Sequence, residues 1–147
     1  MKTHFFAKTI CLAALTLAGL SAQAQTTGTV AVEFQGPGGH SSSNYGRTSA
    51  VHAAGRAVIF LQQAGLPRGS YVITNLTGGN SVNSIASDGL IELQVTAADP
   101  TAYADVVAKI TAAAKSGADA ENAFRSVKAG DLTAGAPATI RTVVTQR

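Results

Sequence analysis

Ligating and cross-linking side chains are scarce in this chain of 147 residues, and each shortage removes a class of function. The single cysteine, Cys11, lies in an apolar N-terminal run, so the rest of the chain has neither a disulfide nor a thiolate metal site. It must hold itself together by packing and backbone pairing. Past that run only His40 and His52 remain, with no His-x-Asp and no paired glutamates, which is too small a ligand set for a metal centre. Neither sign of charge is in large surplus. Setting aside Lys2 and Lys8 leaves 11 − 2 = 9 basic residues against 8 acidic ones, a net +1. That balance gives no electrostatic case for nucleic acid or for an anionic membrane.

What is present begins with an export signal. Lys2 and Lys8 form a basic start, Ile10 to Leu20 an apolar core, and Ala22-Gln23-Ala24 offers small residues where a signal peptidase reads. The apolar run is too short and wrongly flanked for a membrane span. Cys11 lies inside it rather than at a lipobox, so no lipid anchor is expected. Residues 1–24 are therefore expected to be a signal peptide and the protein secreted or periplasmic. Residues 25–147 number 147 − 24 = 123, one domain by size.

Along those residues the periodicity switches repeatedly. Thr29 to Phe34 alternates, with Val30, Val32 and Phe34 on one face of a strand. A glycine-rich loop follows, Gly36-Pro37-Gly38-Gly39-His40-Ser41-Ser42-Ser43, and brings one histidine to the mouth of a strand-to-helix connection. From Ser49 to Ala64 the spacing of Val51, Ala54, Val58 and Leu61 predicts a helix, with His52, Arg56 and Gln63 on another face. Ala53, Ala54, Gly55 and Ala57 keep that helix thin, open to close backbone approach. Tyr71 to Leu76 reads as a strand, Thr77-Gly78-Gly79-Asn80 as a turn, and Ser81 to Ile85 as the start of the return. Ile91, Leu93 and Val95 mark the next strand. Asp99-Pro100 predicts a helix start and Gly117 its end, with a separate short helix from Asp119 to Val127. Lys128 to Pro137 reads as a loop and Thr139 to Thr145 as the last strand. The order β-α-β-β-α-β predicts an α+β fold of the ferredoxin-like kind, a four-stranded antiparallel sheet with two helices on one face. RNA-binding domains of this topology carry aromatics on the central strands. Here the first strand has only Phe34, at its end, and the third has none, so RNA is set aside.

Two separated motifs sit in that frame. Gly36-Pro37-Gly38-Gly39-His40-Ser41-Ser42 with Tyr45-Gly46-Arg47, and Gly78-Gly79-Asn80-Ser81-Val82-Asn83-Ser84-Ile85, occur either side of an alanine-rich helix bearing His52 and Arg56. Together they resemble the lid, or dimerisation, domain of the M20 family of zinc metallopeptidases, the aminoacylase- and carboxypeptidase-type amidohydrolases. The resemblance covers the chain from about Thr29 to Val127 and the last strand.

The resemblance implies roles residue by residue. His40 is similar to the family histidine that reaches into the other subunit's active site and polarises the scissile carbonyl, and Asn83 to the lid asparagine that contacts substrate. Gly78 and Gly79 would turn the backbone beside it. It also implies pairing of lids through a helix and an edge strand, as a homodimer or with another M20 peptidase. The zinc ions and general base of the family belong to a separate catalytic domain, so no metal or other cofactor is expected here. Departures occur as well: Ala86 stands after Ile85 where members have proline, and Leu93-Gln94-Val95 replaces an acidic residue and arginine. The expected function is a secreted, stand-alone dimerisation-type domain that is not catalytic alone. The alternatives are a truncated piece of a secreted zinc-dependent M20 peptidase or a small-molecule-binding module of the same fold.

Overall fold

A computed structural model describes residues 24–147. The expected signal peptide therefore lies, but for Ala24, outside the described residues. In chain order the elements are β1 (Thr26–Gln35), β2 (Gly39–His40), α1 (Ser41–Asn44), α2 (Ala50–Gln63), β3 (Tyr71–Thr77), β4 (Ser84–Ile85), β5 (Asp88–Ala97), α3 (Pro100–Phe124), β6 (Leu132–Thr133), β7 (Ala136–Pro137) and β8 (Arg141–Gln146). The long strands form one sheet in the order β3-β5-β1-β8, every neighbour antiparallel. This is the ferredoxin-like topology the periodicity predicts. The two-residue strands make separate small ladders, β2 with β4 and β6 with β7.

The alternating residues decide which face is covered. Val30 and Val32 of β1 stand opposite Leu93 and Ile91 of β5, and all four are buried. With Phe34 and Val95 they form the sheet side of the core, against Ala53, Ala54, Ala57 and Leu61 of α2 and Val106, Ile110, Ala113 and Ala114 of α3. Each fully buried Val, Leu or Phe contributes roughly 1.5–3 kcal/mol to that packing. The helix ends follow local chemistry. Asp99 accepts from the N–H of Ala102 at 2.8 Å and Pro100 opens α3. Gly65, at φ +61°, ends α2 in the left-handed region.

The expectations fail in four places, each for a physical reason. Gly117 does not end a helix: α3 runs unbroken for 25 residues to Phe124. A Cβ at Gly117 would lie 2.6 Å from Ala57 Cβ and from Ala57 N, and 2.7 Å from Ala53 O, so the glycine is where α2 and α3 touch. The thin face of α2 is thus used within the molecule. Ala53, Ala54 and Ala57 are buried, and only Gly55 of that set stays open. Ser81 to Ile85 does not begin β5; only Ser84–Ile85 pairs, and its partner is the histidine loop. Finally, β1 is longer than expected and β8 begins later. At the far end of the sheet the backbone of Thr29 both donates to and accepts from that of Arg147, at 3.0 and 2.9 Å, so β1 and β8 start and finish side by side.

Candidate functional site

The glycine loop leaves β1 by a bond from Gly36 N to Ser87 O at 2.8 Å. Gly38 and Gly39, at φ +65° and +129°, then turn the chain so that β2 lies antiparallel to β4. His40 faces Ser84 in that ladder, and Ser41 N donates to Asn83 O at 2.9 Å. The result brings together two residues 43 positions apart: the Asn83 amide nitrogen is 3.2 Å from His40 Nε2. On its other side the ring is met by Ser42, whose N–H donates to Nδ1 at 3.3 Å and whose Oγ lies 2.8 Å away. Asn83 Oδ1 meets Ser81 Oγ.

A backbone N–H only donates, so Nδ1 is the acceptor and the neutral ring carries its proton on Nε2. Asn83 then meets Nε2–H with its carbonyl oxygen, the two ends of the amide exchanging places, and turns its NH2 to Ser81 Oγ. All these groups are exposed, so they orient the ring and add little to stability.

Gly78 and Gly79 stand apart from this pair. They lie in a cleft of about 530 Å³ between the loop after His40, the start of α2 and the turn before β4. Ser41, Ser81 and Ser84, neighbours of His40 and Asn83, line the same cleft. Gly79 has φ +75°, and a Cβ at Gly78 would press on the Gly89 backbone at 2.8 Å, so both positions require glycine.

One group escaped the sequence reading. Glu121, on the core side of α3, is 0% exposed. Its carboxylate accepts from Arg56 Nε at 2.9 Å, Arg125 Nε at 3.2 Å and the backbone N–H of Ser49 at 3.2 Å, and His52 Nδ1 stands 3.8 Å away. Both guanidiniums also lie over the ring of Phe124, at 4.7 and 4.9 Å. A buried carboxylate is tolerable only with such partners. The available signal was an acidic residue amid Ala120, Ala123 and Phe124, four places before Arg125. His52 stays on the helix surface, 59% exposed, with its Nδ1 3.4 Å from the Arg125 guanidinium at the edge of this cluster. Among the described residues, no group of three or more His, Cys, Asp or Glu is placed to hold a metal ion.

Residues 25–122 match the family model described as the peptidase dimerisation domain of M20 enzymes. The chain belongs to that family. No curated protein matches it significantly. Solved structures similar to this dimerisation domain include a hydantoinase/carbamoylase family amidase from Burkholderia ambifaria, at 16% identity and TM-score 0.64, covering 86% of this chain and 28% of that one. An aminobenzoyl-glutamate utilization protein from Klebsiella pneumoniae is similar at 15% identity and TM-score 0.62, covering 83% and 28%. The aminopeptidase PepT from Bacillus cereus is similar at 17% identity and TM-score 0.56, covering 82% and 29%. At these identities the likeness is one of fold. The dimerisation domain spans under a third of the length of each of these structures.

Proposed function

We propose that this protein is exported and acts through pairing, with a second copy of itself or with a full-length M20 peptidase, and that it is not catalytic alone. The observation that carries this reading is the free edge of β3. Among the described residues β3 is hydrogen-bonded only to β5, and it carries Val72 and Leu76 at 59% and 44% exposure. An unpaired edge is a template for another strand. Gly55 and Ile59 of α2 are exposed in the helix layer, and no side chain stands over Gly55. Two such faces joined edge to edge would continue the sheet to eight strands. Export rests on the charged start, apolar core and Ala-x-Ala end of residues 1–24.

In a pair with a full-length peptidase, His40 is the residue this domain offers to its partner's site. An Nε2–H donor suits stabilisation of a developing oxyanion, which would take the place of the Asn83 carbonyl oxygen on that proton. Asn83 holds the ring in that orientation. Zinc and the general base would come from the partner, since no cofactor of its own is assigned to this domain.

Sedimentation equilibrium at micromolar concentration tests the pairing. The wild type is expected to dimerise, and Gly55→Trp to weaken association by a few kcal/mol, on the scale of overpacking counted twice across a two-fold axis. A monomeric wild type that also fails to bind an M20 peptidase would refute the proposal. Hydrolysis of acylated amino acids by the isolated protein would refute its catalytic part.

A further inference from the structure

β1 starts at Thr26, opposite Ala97 of β5, and Gln25 alone separates it from the expected cleavage point after Ala24. Cleavage there, part of the export reading on which this inference rests, makes Gln25 the first residue of the exported chain. A glutamine in that place carries its own electrophile. Its α-nitrogen and its side-chain carbonyl carbon can close a five-membered ring, so the attack is intramolecular and favoured by proximity. An α-amino group titrates at about 7.7–8.0, which leaves a share of it neutral and nucleophilic at neutral pH. Gln25 is exposed and lies outside the paired strand, so no ladder stops its side chain from folding back.

The residue also stands at a prepared place. Gln25 lines a cavity of about 290 Å³ at the opposite end of β1 from the histidine loop. Pro67, Ala98, Ala102 and Val106 give the cavity apolar walls, and Arg68 is the one charged residue in its lining among the described residues. A terminal ammonium entering it would lose hydration and meet a guanidinium rather than a carboxylate. An uncharged lactam meets neither cost. Ser70 belongs to the same wall, is 6% exposed, and its Oγ is buried with no partner among the described residues. A buried hydroxyl of that kind calls for a partner.

We propose that Gln25 is a modification site: at the exported amino end it closes to pyroglutamate, and the lactam ring seats in this cavity with its carbonyl accepting from Ser70 Oγ. The bond from the α-nitrogen to Cδ forms and the bond from Cδ to Nε2 breaks. The side-chain nitrogen leaves as ammonia, carrying the proton that the α-nitrogen gives up, and nothing is oxidised or reduced. The closed end then offers no α-amine for an aminopeptidase to bind. The site is formed within one chain and does not depend on the pairing proposed above.

The test expresses the full chain in an exporting host and examines the mature protein by intact mass and by amino-terminal sequencing. Expected are the mass of residues 25–147 less one ammonia, and no sequence until pyroglutamyl aminopeptidase removes the ring. Gln25→Asn, whose closure would need a smaller and strained ring, should carry an open end of full mass. Proton NMR of the closed protein should show the ring methylenes close to the methyls of Ala98 and Ala102. Ser70→Ala should keep the closed mass and lose those contacts. An open Gln25 at the amino end overturns the closure while the export reading stands. An uncleaved chain, or a first residue other than Gln25, overturns the inference together with the cleavage reading. A closed ring without contacts to Ala98 and Ala102 overturns the seat, and contacts unchanged in a natively folded Ser70→Ala overturn the hydrogen bond.

Discussion

Replacing Gly117 with alanine should destabilise the domain, although alanine is the better helix former. In an exposed helix the change is worth about 1 kcal/mol in favour of alanine. Here the added methyl would stand 2.6 Å from Ala57 Cβ and N and 2.7 Å from Ala53 O. Carbon atoms in good contact stand about 3.5–4.0 Å apart, so α2 and α3 must part by about 1 Å. The obstacles are backbone and a Cβ, which cannot rotate away. Overpacking of this kind costs about 1–3 kcal/mol, and rigid obstacles place it at the upper end. Net of the helix preference, the loss should be about 2 kcal/mol. At about 4 °C per kcal/mol for a domain of this size, Tm falls by roughly 8 °C. Gly55→Ala is the control, since a Cβ there meets nothing within 4 Å. It should stabilise by about 0.5–1 kcal/mol. Both are measured by urea unfolding at nanomolar concentration, where a weak dimer is dissociated. A shifted midpoint with unchanged slope reads as stability alone. If Gly117→Ala unfolds at the same urea concentration as the wild type, or a higher one, the close helix contact is not what the glycine serves.

Other outcomes follow from the same geometry. Valine at both Gly78 and Gly79 should cost on the order of 1–3 kcal/mol per residue, since both have positive φ; unchanged thermal unfolding would contradict it. Glu121→Ala should cost about 3–5 kcal/mol by leaving Arg56 and Arg125 facing each other unneutralised, with Glu121→Gln closer to wild type in chemical denaturation. Equal stability of Glu121→Ala and wild type would mean the pair contributes nothing net. Long-range nitrogen NMR of the neutral His40 ring should find the proton on Nε2. Finding it on Nδ1 would mean that Ser42 Oγ accepts rather than donates. Asn83→Ala should alter that signal while leaving stability within about 0.5 kcal/mol, because the β2–β4 ladder is made by backbone.

The sheet and its covered face were legible because Val30, Val32, Phe34, Ile91, Leu93 and Val95 keep strict alternation. The two motifs around His40 and Asn83 also stood out, but their meeting in space did not: it depends on a ladder of two residue pairs too short to leave a periodic trace. Gly117 was misread because a glycine inside a helical pattern has two meanings. Local propensity makes it a stop, while a tertiary contact makes it a continuation, and only the position of α2 decides. Glu121 was hidden for a related reason. Its partners Arg56 and Ser49 lie 65 and 72 positions away, and a single acidic residue in an alanine-rich segment looks solvated until the fold closes over it.

The mutual backbone bonds of Thr29 and Arg147 have a consequence for how such a unit travels between genes. Because the first and last strands meet at one end, the segment between them has an entrance and an exit a few ångströms apart. Splicing it into a surface turn of a host protein would open that turn by little more than the width of a strand pair. The entropic penalty of bridging a gap that small is slight, and the host's own folding need not wait for the insert. In the solved structures that share its shape, the matching unit makes up under a third of a longer polypeptide. Adjacent ends are the geometric condition that lets one module be carried whole within such a chain or outside it.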